Sequence, residues 1–119
     1  MKTFQDLVAE AKKQIREISA EEVAAKHQSG ERFVLIDVRE EDEHRESHIP
    51  FSKNMPRGYL EIEIAKQITD PDTAIICHCG GGGRSALAAK TLQEMGFRNV
   101  ASMAGGLRAW KEKSLPVEP

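Results

Sequence analysis

Apolar positions near the N-terminus recur with the period of a helix. They follow three- and four-residue spacings at Leu7, Val8, Ala11, Ile15 and Ile18. With Thr3 available as the N-cap, this pattern predicts an amphipathic helix over residues 4–16. Ser19 and Glu22 then form a capping-box pattern, which predicts a second helix through about Gln28, closed by Gly30.

Short apolar runs separated by charged or turn-forming segments predict strands. These runs cover residues 32–38, 53–55, 74–77 and 100–103, and residues 16–18 could add an edge strand. The unbroken apolar run within 32–38 is typical of a parallel strand that is buried on both faces. Further helices are predicted over residues 40–46, 60–68, 85–95 and 107–113. This alternation predicts an α/β fold with a central, mostly parallel five-stranded sheet flanked by helices.

The length, charge and composition of the chain exclude some classes of function. The chain has 119 residues with 17 Lys and Arg against 19 Asp and Glu, for a formal charge of -2. This length suits one domain. The basic residues are scattered and aromatic residues are few, so nucleic-acid binding is not expected. No apolar run reaches the roughly 20 residues of a membrane helix and no signal peptide is evident, so we expect a cytoplasmic protein without membrane contact.

The most informative segment joins the third apolar run to the helix predicted after it. Cys79 follows this strand, four glycines (Gly80, Gly81, Gly82, Gly83) come next, and Arg84 and Ser85 lead into the helix. Ligands of open α/β sheets bind at the carboxyl ends of the strands, where Cys79 would lie. Glycines allow successive N–H groups to converge on an anion, and the helix dipole adds positive potential. We therefore expect a Cys79 thiolate of lowered pKa, able to act as a nucleophile.

Other interpretations of this segment fit less well. The glycine run matches neither the G-x-G-x-x-G pattern nor a P-loop, which needs Lys before Ser85. Cys77 and Cys79 are too close for an unstrained disulfide. A metal site would need Cys77, His78 and Cys79 to converge, although adjacent strand residues point to opposite faces. We predict no metal at this position.

With these residues the sequence resembles the rhodanese-like family. Cys79 to Arg84 span six residues, the loop length of the sulfurtransferases in that family. The segments that also match its motifs are Asp37-Val38-Arg39, His48-Ile49-Pro50 and Gly105-Gly106-Leu107-Arg108-Ala109-Trp110. Pro56-Arg57-Gly58-Tyr59-Leu60-Glu61 is similar to a segment of some single-domain members. The pattern departs from the family at Ser47 and at Phe51-Ser52, where glycine and glycine-alanine are common.

The resemblance covers residues 16–119 and leaves the N-terminal helix, residues 1–15, outside the minimal domain. It implies a rhodanese-like three-layer fold and a sulfurtransferase without metal or organic cofactor. The Cys79 thiolate would take a sulfane sulfur from thiosulfate or a persulfide, hold it as a persulfide, and pass it to cyanide or a thiol. Backbone N–H groups of Gly80 to Ser85 would stabilise the negative charge on the Cys79 persulfide. Arg84 would lock the loop or add positive charge.

Several neighbouring residues have open roles. Asp37 and Arg39 stand at the same sheet edge as Cys79 and could support the loop or form an ordinary ion pair. Arg57 could attract an anionic donor or be a solvated arginine. Cys77 is predicted to be a core residue, with a resolving or secondary thiol role as the alternative. His78 is predicted to be structural or pocket-lining, with proton transfer as the alternative. The charged residues 40–46 are predicted to form a solvent-exposed helix face.

Two other functions are alternatives to the sulfurtransferase. A low-turnover persulfide carrier or binding module in sulfur trafficking would use the same cysteine and deliver its sulfur to a protein partner. A phosphatase or arsenate reductase could share the fold, but related phosphatases carry one more residue between Cys and Arg. Turnover separates the enzyme from the carrier, because both require a modified Cys79.

Overall fold

The computed structural model describes all 119 residues as alternating helices and strands. Helices occupy α1 (Phe4–Lys12), α2 (Ala20–Gln28), α3 (Glu41–Glu46), α4 (Leu60–Gln67), α5 (Gly83–Glu94) and α6 (Gly106–Glu112). Strands occupy β1 (Arg16–Ile18), β2 (Val34–Asp37), β3 (Ser52–Asn54), β4 (Ile75–His78) and β5 (Val100–Met103), and a 3-10 turn spans Arg57–Tyr59. No helix combines the length and the apolar character needed to cross a membrane.

The five strands form one sheet in the order β1-β5-β4-β2-β3, and every pairing is parallel. The predicted sheet is therefore confirmed, including the edge strand β1. The most apolar strands, β4 and β2, lie inside the sheet, while the short strands β1 and β3 lie at its edges. Because the strands are parallel, all their carboxyl ends meet at one edge, where Cys79 follows β4.

Apolar side chains cover both faces of the sheet and so create three layers. On one face, Ile36 and Cys77 pack with side chains from α4 and α5. On the other, Leu35 and Ile76 pack with α2 and α6, including the 1% exposed Trp110. Odd and even strand positions thus serve different layers, as the two-residue period of a strand requires. The three-layer fold is confirmed.

The ends of two helices differ from the prediction. The capping box of Thr3 with Asp6 starts α1 as expected, but the helix ends at Lys12 because the chain must extend at Arg16 to pair with β5. Helix α5 begins at Gly83, two residues before the predicted start. Gly82 is its N-cap with φ +103°, a left-handed conformation that glycine permits. The last two residues of the predicted glycine loop therefore belong to the N-terminus of a helix.

The N-terminal helix packs directly on the three-layer body. Val8 and Ala11 of α1 are 5% and 0% exposed and contact Ala86 on α5. Phe4 lies against Gly83, where an added Cβ would fall 2.9 Å from the Phe4 Cζ atom. Helix α1 thus rests on the N-terminal half of α5, next to the carboxyl edge of the sheet.

Candidate active site

Cys79 lies directly after β4, at the floor of a loop held by two helices. Gly82 and Gly83 turn the chain into α5, while the first turn of α6 binds the loop from the other side. Leu107 N–H donates to the Cys79 carbonyl at 2.8 Å, and Arg108 N–H donates to the Gly80 carbonyl at 3.1 Å. Backbone atoms of the loop and α6 lie so close that a side chain at position 106 could not fit, which accounts for Gly106. The loop is therefore fixed at both ends.

The Cys79 sulfur accepts hydrogen bonds from the first turn of the helix. The N–H of Gly82 is 3.1 Å from Sγ, and that of Ser85 is 3.4 Å away. The Ser85 hydroxyl lies 3.5 Å from the same sulfur. Unpaired N–H groups at a helix N-terminus favour a negative charge, so this arrangement suits a thiolate or a persulfide anion.

The two cysteines have opposite electrostatic environments. Burial alone would raise the pKa of Cys79, but hydrogen bonds from the Ser85 side chain and from the Ser85, Gly82 and Gly81 N–H groups outweigh it and lower the pKa. Cys77 lies within the core face of β4, where burial raises its pKa to about 12. Cys79 is therefore the thiol whose anion the structure favours, and Cys77 is the thiol whose protonated form it favours.

A second serine supports the first beneath the loop. Ser102 on β5 is fully buried, and its hydroxyl lies 2.8 Å from that of Ser85. The Ser102 hydroxyl has no other hydrogen-bond partner, so this contact ties it to the Ser85 side chain alone. The Ser85 hydroxyl also lies 3.3 Å from the Gly82 carbonyl, so contacts on three sides fix it beside the Cys79 sulfur.

Arg84 is held by a carboxylate from a distant part of the chain. Its two terminal nitrogens donate to the Glu43 carboxylate on α3 at 2.8 and 3.2 Å. Hydrogen bonding to Arg84 lowers the pKa of Glu43, and the same bond raises that of Arg84. A paired fork of this kind fixes the plane of the guanidinium. The interpretation of residues 40–46 as only a solvated face is therefore incomplete.

Asp37 and Arg39 form the support beneath α3. The buried Asp37 carboxylate accepts hydrogen bonds from Arg39 Nε and Nη2, and His44 Nδ1 lies 2.8 Å from it. Arg39 also donates to the Ser47 carbonyl at 2.7 Å. Burial alone would raise the pKa of Asp37, but Arg39, His78 and His44 together lower it. The pair therefore orients α3, which carries Glu43, and does not itself hydrogen-bond the loop.

His78 and Arg57 lie outside the immediate surroundings of the Cys79 sulfur. His78 is fully buried, with Nε2 3.9 Å from Asp37, and burial lowers its pKa. Arg57 donates to Glu61 at 3.1 Å and to Thr91 at 2.9 Å, so it ties the 3-10 turn to α5. No group of three or more His, Cys, Asp or Glu side chains is arranged to hold a metal ion.

Sequence reasoning missed Glu43, Ser102 and Arg108 as parts of the site. Glu43 lies 41 residues from Arg84, and Ser102 lies 17 residues from Ser85. Each pair meets only because the sheet order places β2, β4 and β5 side by side. The one available signal for Arg108 was its place in the glycine-rich motif that begins α6.

Comparison with known proteins gives consistent matches over most of the chain. The family model "Rhodanese-like domain" matches residues 19–113. The Bacillus subtilis "Putative sulfur carrier protein YrkF" is 36% identical over 100 residues, which cover 84% of this chain and 53% of YrkF. The chain therefore spans about half the length of that relative.

Two solved structures match nearly the whole chain. A Rhodopseudomonas palustris protein of unknown function, described as a "possible tyrosine phosphatase", is 36% identical with a TM-score of 0.88 and covers 99% of this chain and 96% of its own. The polysulfide-sulfur transferase homodimer of Wolinella succinogenes is 34% identical with a TM-score of 0.81 and covers 97% and 86% respectively. Both alignments are long enough to include α1.

Proposed function

The chain belongs to the rhodanese-like domain family, and on that premise we propose that it is a sulfurtransferase that carries sulfur on Cys79. The observation that carries this proposal is the set of donors around one sulfur, from Gly82 N–H, Ser85 N–H and the Ser85 hydroxyl. The similarity to a polysulfide-sulfur transferase and a protein named as a sulfur carrier supports the same class.

The first half-reaction loads the cysteine. The Cys79 thiolate attacks the sulfane sulfur of thiosulfate or a persulfide, a new sulfur–sulfur bond forms, and the donor leaves with the bonding electron pair. With thiosulfate the leaving group is sulfite. Gly80, Gly81, Gly82, Gly83 and Ser85 contribute the loop backbone that surrounds the bound sulfur. Dipoles already oriented toward a negative charge stabilise the persulfide anion without reorganisation.

The second half-reaction returns the free thiolate. A thiolate or cyanide attacks the outer sulfur of the Cys79 persulfide, and the electrons of the broken bond remain on Cys79. Arg84, held by Glu43, keeps a positive charge beside the loop in both steps. Asp37 and Arg39 act through α3. Arg57 acts further away, through its contact with Thr91 on α5. The mechanism uses no metal or organic cofactor.

A persulfide carrier is the alternative within the same chemistry. In that case Cys79 would load at a useful rate but discharge efficiently only to a protein acceptor. The similarity to a protein named as a sulfur carrier favours keeping this alternative. Rates of discharge to small thiols and to cyanide decide between enzyme and carrier, since loading is common to both.

Phosphatase activity is the second candidate function, because one similar structure is described as a possible tyrosine phosphatase. The chain has four residues between Cys79 and Arg84, one fewer than the related phosphatases have. A shorter loop leaves less room for a tetrahedral phosphate. We therefore expect sulfur transfer to exceed phosphoester hydrolysis by far.

The test compares turnover of both classes on the same preparations. Wild type, Cys79→Ser and Cys77→Ser are assayed for thiocyanate from thiosulfate and cyanide, for sulfide from thiosulfate and a thiol, and for hydrolysis of p-nitrophenyl phosphate. We expect the two sulfur assays to depend on Cys79 and the phosphate assay to stay at background. Phosphate hydrolysis that requires Cys79, without sulfur turnover, would contradict the proposal.

A further inference from the structure

Helix α1 and the start of α6 form two walls of an open cavity of about 310 Å³ beside Cys79. Phe4, Val8 and Lys12 line it from α1, and Arg108 lines it from α6. Small-molecule sites span roughly 300–1,000 Å³, so this volume lies at the lower end of that range. It is larger than a single small oxyanion such as thiosulfate requires.

Phe4 and Val8 form an apolar part of the α1 wall, next to Gln5 and Lys12, and this part is fitted closely to the loop. Phe4 meets Gly83 so tightly that an added Cβ would fall 2.9 Å from Cζ and 3.1 Å from Cε2 of the ring, and Val8 lies 3.4 Å from the same point. Phe4 nevertheless stays 48% exposed. Part of its ring therefore remains available to a ligand in the cavity.

The rest of the cavity rim is cationic. Arg84 is already paired with Glu43, and Lys12 lies 3.8 Å from Glu17. Arg108 is exposed, forms no ion pair, and lies with Nη2 3.9 Å from the Cβ position of Gly81. No carboxylate lines the cavity. An anion that enters it would meet one arginine whose charge is not yet satisfied.

We propose that Phe4, Val8, Lys12 and Arg108 form a subsite that selects organic, anionic sulfur donors with an apolar body. The proposal rests on the sulfur-transfer function proposed for Cys79 and specifies its donor class. An arenethiosulfonate combines both features in one molecule, with a ring for the α1 wall and an anionic group for Arg108. Thiosulfate has the charge but no apolar body.

The chemistry of loading is balanced for such a donor. The Cys79 thiolate attacks the sulfane sulfur, the bond from that sulfur to the sulfonyl sulfur breaks, and the sulfinate leaves with the electron pair. The two negative charges before the step, on Cys79 and the donor, become those of the Cys79 persulfide and the sulfinate. The step requires no oxidant, reductant or proton transfer.

The first experiment measures second-order rate constants for loading by intact mass, with benzenethiosulfonate, methanethiosulfonate and thiosulfate as donors. Phe4→Ala is compared with Leu7→Ala, which changes an exposed apolar residue of α1 outside the cavity. We expect Phe4→Ala to lower the ratio of the benzene to the methane donor roughly three-fold or more, since aromatic contacts are worth about that factor. Intrinsic donor reactivity cancels between variants. An unchanged ratio would overturn the apolar part of the subsite.

Phe4→Leu controls for the possibility that Phe4→Ala changes donor selectivity through loss of α1 packing. It retains an apolar side chain against Gly83, and helix content and thermal unfolding are followed for all α1 variants. We expect Phe4→Leu to discriminate less between the benzene and methane donors than wild type does. If Phe4→Leu discriminates fully as wild type does, the ring is not part of the selection.

The second experiment tests the charge without relying on sulfur transfer. Alkylation of Cys79 by iodoacetate is compared with alkylation by neutral iodoacetamide in wild type, Arg108→Gln and the control Lys111→Gln, an exposed α6 residue outside the cavity. We expect Arg108→Gln to slow iodoacetate roughly five-fold or more relative to iodoacetamide, because a charged donor to the anion is lost. Equal effects on both reagents would overturn the role of Arg108.

The two experiments distinguish a wrong subsite from a wrong sulfur-transfer function. If wild-type Cys79 takes sulfur from every donor without discrimination by Phe4 or Arg108, the subsite is wrong and the sulfur-transfer function stands. If no donor loads Cys79 but Arg108 still controls iodoacetate, the anion-selecting part of the subsite stands and the function is wrong.

Discussion

Cys77 and Cys79 lie two residues apart, and both are buried, but only the sulfur of Cys79 receives N–H groups from the start of α5. Chain position decides this difference. Cys77 is the third residue of β4 and faces the core, whereas Cys79 follows the strand and lies beneath the first turn of the helix. One thiol is therefore stabilised as an anion and the other as a neutral group.

The contrast predicts a pH dependence of stability that belongs to Cys77. Burial raises its pKa from 9.0 to about 12. The unfolded chain therefore loses this proton at lower pH than the folded protein does. The contribution of Cys77 is complete below pH 9 and is lost as the pH rises toward 12, with a limiting slope of about 1.4 kcal/mol per pH unit.

Urea unfolding at several pH values between about 8 and 11 checks this slope. The free energy of unfolding should fall more steeply with pH in wild type than in Cys77→Ala. The comparison of slopes removes the constant loss of packing in the variant. Parallel slopes would mean that Cys77 ionises as easily in the folded protein as in the unfolded chain.

The Ser102–Ser85 contact predicts an effect at a distance from the sulfur. Ser102→Ala removes the hydroxyl that lies 2.8 Å from Ser85 Oγ, so the Ser85 hydroxyl is held less firmly beside the Cys79 sulfur. A buried hydrogen bond of this kind is worth about 1 kcal/mol, which corresponds to about five-fold slower alkylation of Cys79 by iodoacetamide at neutral pH. The pH at which the alkylation rate of Cys79 rises should be higher in Ser102→Ala than in wild type.

Ser85→Ala is the reference for that measurement and should have a larger effect in the same direction, because it removes the donor itself. Thermal unfolding monitors whether β5 and the sheet remain intact. If Ser102→Ala leaves the pH profile of alkylation unchanged, Ser102 serves the packing of β5 and does not orient Ser85.

The Glu43–Arg84 ion pair predicts that the orientation of the guanidinium, as well as its charge, affects the rate of sulfur loading of Cys79. Glu43→Gln removes the partner that fixes the guanidinium, and Arg84→Lys keeps the charge without the fork. Both should slow sulfur loading of Cys79, while stability changes by less than about 1 kcal/mol because the pair is partly exposed. Loading rates and thermal unfolding are measured on both, with Glu46→Gln on the exposed side of α3 as the control. Full activity of Arg84→Lys would reduce the role of Arg84 to its charge.

The buried ion pair between Asp37 and Arg39 predicts that replacement of Asp37 lowers the free energy of unfolding. Asp37→Asn leaves the buried Arg39 without its carboxylate, and loss of one partner of a buried ion pair costs about 3–5 kcal/mol. The lowered pKa of Asp37 adds stability that is present above the carboxyl pKa of the unfolded chain and is lost as the pH falls through the folded value. Urea unfolding of Asp37→Asn and of the exposed control Asp42→Asn measures the difference. Similar values for the two variants would contradict the structural role of Asp37.

Much of the fold could be predicted from local patterns. The capping boxes at Thr3 and Ser19 set the starts of α1 and α2, and the apolar runs set the central strands. The start of α5 could not be predicted, since a run of glycines has no helical preference. Gly83 becomes helical because Gly82 takes a left-handed turn and the N–H groups converge on Cys79.

The candidate nucleophile and its loop could also be predicted, because a strand, a cysteine, glycines and a helix follow one another in the chain. The partners of that loop could not. Glu43 reaches Arg84, and Ser102 reaches Ser85, across neighbouring strands that are far apart in sequence. The position of α1 over the cavity depends on its packing against Ala86 and Gly83, which no local pattern encodes.

The most direct test of sulfur transfer by Cys79 is intact-mass measurement after brief treatment with thiosulfate or an organic persulfide. Wild type and Cys77→Ser should each gain one sulfur that a thiol reductant removes, and Cys79→Ser should gain none. Peptide mapping should place the added sulfur on Cys79. A labile sulfur that persists in Cys79→Ser, or a folded wild type that takes up none from either donor, would contradict the account.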